Sequence, residues 1–130
     1  MTALEILPIV IYLGGFAVFA LVLLKINIPT NLKCLFLVAL CAAFTIFTFI
    51  GISREGVVMF WTNHTANITG NQVWFDLVFA VSIAFYLIIP RARAVGMKVF
   101  PWAIAIGMTA SIALLPMLAR LLWLERNKSV

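Results

Sequence analysis

Of the chain's four acids and one histidine, three lie close together in sequence between positions 55 and 76: Glu55, His64 and Asp76. Histidine titrates near neutral pH and serves as a general base, with carboxylates as its natural partners. Asp76 closes the stretch FWTNHTANITGNQVWFD, residues 60 to 76, where asparagine and glutamine gather in an otherwise apolar chain. An acid inside an apolar run is costly and marks a functional site by default. Each residue also has a plainer reading. The dipole at a helix N-terminus favours an anion such as Asp76, with Arg54 or Arg120 as its partner. His64 then is a solvated side chain, and Glu55 a surface acid.

Other chemistries lack the residues they need. Structural and catalytic metal sites take three or four ligands at suitable spacing. One histidine, four acids and the distant pair Cys34 and Cys41 do not supply them, so no metal and no cofactor are expected. The two cysteines share a helix face but lie about 10 Å apart along the axis. A disulfide needs Cα atoms within about 7 Å, so the thiols are expected to stay free and to fill a packed face. No glycine-rich phosphate loop and no GxSxG motif occurs.

The elements that carry these residues follow from composition. The chain has 130 residues, 65% hydrophobic and 10% charged, with a mean hydropathy of +1.19. A soluble domain is about 25% charged, and a chain this short cannot hide so much apolar surface in a single core. Lipid is the expected solvent. Four apolar runs, about 6–24, 34–52, 73–89 and 99–124, each reach the roughly 17–25 residues needed to cross a bilayer. The fold class expected is all-α: one domain, a membrane-spanning four-helix bundle. EGVVMFW, residues 55 to 61, forms a short interfacial segment between the second and third spans. The front end, MTALE, lacks the cationic region of a secretory signal, so the first run reads as a retained span.

In a four-span chain, Lys25, Lys33, Arg91, Arg93 and Lys98 fall on one side, and Arg54, Arg120, Arg126 and Lys128 on the other. Five against four is nearly a tie, but the first span has two cations after it and none before it, which favours a cytoplasmic C-terminal end, with both termini and the long loop outside. Trp61, Trp74 and Trp123 map to the long-loop face and Trp102 to the opposite one, the pattern of interfacial anchors. Ala103, Gly107 and Ser111, spaced four apart, predict a close-packing seam on the fourth span. Pro116 predicts a kink in it. Arg120 either snorkels to the interface or turns inward to meet Asp76.

From Asn71 onward the chain resembles a family of small bacterial membrane proteins of uncharacterised function. The shared features are Asp76-Leu77, the basic turn with Arg91, Arg93, Gly96 and Met97, and the run ending near Leu114-Leu115-Pro116 and Arg120. The resemblance covers residues of about 71–126. It implies a four-span protein of the bacterial inner (plasma) membrane and no particular activity.

Three functions are carried forward. The first is a non-catalytic accessory or structural subunit, packed in a larger membrane complex or a homo-oligomer. The second is an enzyme acting on an isoprenoid or other lipid, with Asp76 as the acid or base and His64 or Glu55 as its partner. The third is an oligomeric proton-coupled transporter or channel. Membrane lipids, other subunits and copies of the chain are the expected partners. Nucleic acid is not, because the cations flank apolar runs, where headgroups are their usual contact.

Overall fold

A backbone in hydrocarbon must satisfy its own hydrogen bonds, which helices do within one segment. The structure, a computed structural model, describes residues 2–128. Every regular element among them is a helix: α1 (Ala3–Leu23), α2 (Thr30–Glu55), α3 (Val58–Thr65), α4 (Ile68–Ala94), α5 (Val99–Thr109) and α6 (Ser111–Lys128). Local sequence sets several ends. The Thr2 N–H donates to the Glu5 carboxylate at 2.6 Å, tying the start of α1. Gly56, with φ of 82°, turns the chain out of α2 into α3, a conformation open to glycine at little steric cost. The Asn67 side chain caps α4 by accepting from the Gly70 N–H at 2.7 Å.

Three helices, α1, α2 and α4, are long and apolar enough to cross a membrane. The expected fourth span is not continuous. It breaks at Ala110, where φ is 48°, into an 11-residue and an 18-residue helix. At 1.5 Å per residue α5 reaches about 16 Å, half of a hydrocarbon layer of about 30 Å. Pro116 was the expected kink, yet it sits inside α6, and the chain turns six residues earlier.

Cross-contacts fix the directions. Along α6, Ile112, Ala119 and Arg126 meet Cys41, Cys34 and Asn31 of α2 in turn. The helices α2 and α6 are therefore antiparallel. Against α4, Glu125 meets Arg91, and Lys128 reaches the Ala94 carbonyl, so α6 runs parallel to α4. The α5–α6 pair is a hairpin. Its two ends lie at one end of the bundle, beside the 24–29 and 95–98 turns. We call this the basic end. The other end holds α3 and the start of α1.

Burial is confined to a small region. Ile88, Ala92, Met97, Ile106, Ala113, Met117 and Leu121 form the core, contributed by α4, α5, α6 and the turn before α5. The chain exposes 9951 Å², where a compact soluble chain of 14.4 kDa exposes about 6,800 Å². Helix α1 has no buried residue and packs closely on no other helix.

Candidate functional site

Helices α3 and α4 meet at a tight corner. A Cβ placed on Gly70 would stand 3.1 Å from backbone atoms of His64, so the approach is tight for any residue larger than glycine. Trp74, a turn and a half into α4, packs against Trp61 at 6.0 Å and edge-on against His64 at 6.2 Å between ring centres. His64 is half-buried, and its Nδ1 donates to the Phe60 carbonyl at 2.8 Å. Nε2 makes no hydrogen bond among the described residues. Below this corner Glu55 and His64 line one cleft of about 220 Å³ between α2 and α3, walled by Phe44, Phe47 and Phe60.

Asp76 is not part of that cleft. It is exposed on α4, between Phe75 and Phe79, whose rings stack on each other at 6.4 Å. Neither expected cation reaches it. Among the described residues Arg54 makes no ion pair, and Arg120 lies at the opposite end of the bundle, one residue past Ala119, whose carbonyl meets Cys34. The single ion pair among the described residues is Arg91–Glu125. The expected trio is therefore divided: Glu55 and His64 line the same cleft without bonding each other, and Asp76 stands apart.

Other expected positions are redistributed by the hairpin. Trp61 and Trp74 stay at the α3 end, but Trp123 joins Trp102 at the basic end, because α6 returns instead of crossing. The seam of Ala103, Gly107 and Ser111 does not form. Ser111 belongs to a different helix from the other two, and a Cβ on Gly107 would meet nothing within 4 Å. The face that α5 buries is that of Ile106.

The packing that sequence reasoning missed is a thiol seam between α2 and α6. Proline lacks an N–H, so Pro116 leaves the carbonyl four residues earlier, that of Ile112, without its helical donor. The Cys41 thiol fills the vacancy at 3.3 Å and lies 4.0 Å from the Thr45 hydroxyl. One turn-pair away the Cys34 thiol donates to the Ala119 carbonyl at 3.4 Å. Both cysteines are free. The signal was present in the sequence as two small thiols seven apart and an in-helix proline, but their pairing needed the antiparallel register.

At the basic end the Arg91 guanidinium grips Glu125 through two hydrogen bonds, of 2.8 and 2.6 Å. These bonds hold the Glu125 carboxyl below its ordinary range. Among the described residues no three His, Cys, Asp or Glu side chains gather as metal ligands would.

No protein-family model, curated protein or solved structure matches this chain. The site is thus read from its own geometry: an unpaired acid on one helix, a small acid–histidine cleft, and a thiol seam that holds the hairpin in place.

Proposed function

We propose that this chain is a non-catalytic accessory subunit of a bacterial inner-membrane assembly, packed against larger subunits or against copies of itself. One observation carries the reading: Asp76 has no cation or hydrogen-bond donor among the described residues of its own chain. It lies about 22 Å along α4 from Arg91. With Arg91 at one boundary of a hydrocarbon layer of about 30 Å, the acid sits several Å inside the other. An ionised carboxylate there is unfavourable unless a partner or water meets it. A cation or donor from a neighbouring subunit would do so, and α1, which packs closely on nothing in its own chain, gives a second free face.

Native mass spectrometry after gentle detergent extraction tests this. The expected species is larger than the 14.4 kDa chain, and Asp76→Leu shifts it to monomer while α-helical content stays constant. A wild-type monomer carrying only lipid would overturn the proposal.

The cleft shared by Glu55 and His64 favours a second reading, an enzyme on an isoprenoid or other lipid that enters between α2 and α3. Here the acid–base pair is Glu55 and His64, not Asp76. On this reading Glu55→Gln and His64→Ala abolish turnover of a lipid substrate, whereas Asp76→Asn leaves it intact.

A further inference from the structure

The returning path of α6 changes the charge map of the whole molecule. Of nine Lys and Arg residues, Arg54 is the one that remains at the α3 end. Lys25, Lys33, Arg91, Arg93, Lys98, Arg120, Arg126 and Lys128 all belong to the basic end, with Glu125 as its single acid. The α3 end carries one cation against Glu5, Glu55 and Asp76. The five-to-four division expected of four spans becomes eight to one.

Much of this charge is unspent within the protein. Arg91 is neutralised by Glu125, and Arg126 and Lys128 bond Asn31 and the Ala94 carbonyl. Lys25, Lys33, Arg93, Lys98 and Arg120 are exposed and have no hydrogen-bond or ion-pair partner for their side chains among the described residues. They come from the turn after α1, the first turn of α2, the end of α4, the start of α5 and the middle of α6. All five lie at or near the end of the bundle where the hairpin begins and ends.

We propose that the basic end is the cytoplasmic face and that it docks on anionic phospholipid headgroups, whose phosphates pair with these five cations. The hairpin then enters and leaves the bilayer from the cytoplasm. The C-terminal end of α6 is cytoplasmic, and α3 and the start of α1 lie across the membrane. Two physical facts support this choice. Lysine and arginine near span ends are retained on the cytoplasmic side. That leaflet also carries the anionic lipids, and each nearby cation strengthens attachment roughly fivefold. Arg120 is about 9 Å deeper than Arg126 along α6, within the reach of a side chain that snorkels to phosphate.

Two measurements on the full chain test the two parts. In a Cys34→Ser/Cys41→Ser background, Ala94→Cys, Asn127→Cys and Asn63→Cys are each probed with a membrane-impermeant maleimide in intact cells and in inverted vesicles. Ala94→Cys and Asn127→Cys should react only in inverted vesicles, and Asn63→Cys only in intact cells. Labelling of positions 94 and 127 from opposite faces would overturn the hairpin topology, and labelling of both from outside would overturn the orientation. Lipid retention is then read by native mass spectrometry from bilayers of phosphatidylcholine with a minor share of phosphatidylglycerol. Phosphatidylglycerol should be retained in excess. The triple variant Lys33→Gln/Arg93→Gln/Lys98→Gln should lose that excess at least about tenfold, and Arg54→Gln should keep it. Equal retention of the two lipids, or a triple variant that matches wild type, would overturn the headgroup assignment.

Discussion

From Ile88 to Leu121 the chain buries eight side chains, whereas from Thr2 to Leu87 it buries none. Both regions are helical and apolar, so hydrophobicity does not separate them. Lipid tails are as apolar as leucine, and helices in a bilayer associate only where surfaces fit closely or polar groups meet. The C-terminal region offers both. Ala92, Ala113 and Ala119 let backbones approach, the thiols of Cys34 and Cys41 reach across to α6 carbonyls, and Arg91 clasps Glu125. Helix α1 presents large apolar side chains on all sides, such as Leu13, Phe16 and Phe19, and across an open cleft meets only Phe47 of α2. Apolar character inserts a helix, and complementarity docks it.

The sharpest way to break this contrast is to disturb the packed region and leave α1 alone. Ala92 is fully buried, and Ala92→Leu should destabilise the fold by about 1–3 kcal/mol through overpacking. Leu13→Ala on α1 should change stability by less than about 0.5 kcal/mol. Unfolding in mixed micelles, followed by circular dichroism, measures both; equal losses would erase the distinction. Leu121→Ala should cost about 2 kcal/mol, the cavity part of the usual penalty, since the transfer part vanishes in lipid.

The thiol seam gives an intermediate effect. Cys41→Ala should cost about 1 kcal/mol by leaving the Ile112 carbonyl without a donor. In a Pro116→Ala background the residue at 116 supplies its own N–H, and the same substitution should cost clearly less. A double-mutant cycle with no coupling would refute the link between the proline and the cysteine. At the hairpin tip, Ala110→Gly should stabilise the protein by roughly 1 kcal/mol, because its positive φ strains any residue with a Cβ.

The smallest effect belongs to the exposed ion pair. Arg91→Gln should cost about 0–1 kcal/mol. Its pH dependence has a defined sign. Glu125 is held below the ordinary carboxylate range, so its contribution is present in full above about pH 4–5, where the unfolded carboxyl is ionised, and is lost as the pH falls through the lower folded value. The difference between wild type and Arg91→Gln should vanish below that window in an acid titration of stability.

Much of the helical layout was legible because hydrocarbon permits few alternatives. The first, second and third apolar runs became α1, α2 and α4, the first extended at its start and the other two by a few residues at both ends. Val58–Thr65 formed a short helix next to the interfacial stretch expected from EGVVMFW. The fourth run misled because hydropathy counts residues and does not register direction. Nothing local marks Ala110 as a turn, and Pro116, which does stand out, is accommodated by a thiol from another helix. The same error moved Trp123, Arg120 and the C-terminal cations to the wrong end and aligned Ala103, Gly107 and Ser111 on a face that does not exist. Of the acid–base residues, Glu55 and His64 share a cleft that the α2–α3 turn creates, while Asp76 was left alone by the turn of α4 that carries it.

The sequence by itself determined that this chain belongs in lipid, that it is helical, and where three of its spans run, because each follows from the cost of wetting apolar side chains or leaving backbone groups unbonded. The tertiary structure alone decided which way the last helix points, and with it the division of charge, the pairing of thiols with carbonyls and the isolation of Asp76. Direction is a property of contacts between distant segments: a run of apolar residues is equally content to continue across a bilayer or to fold back within it, until a neighbouring helix supplies partners in one register and not the other.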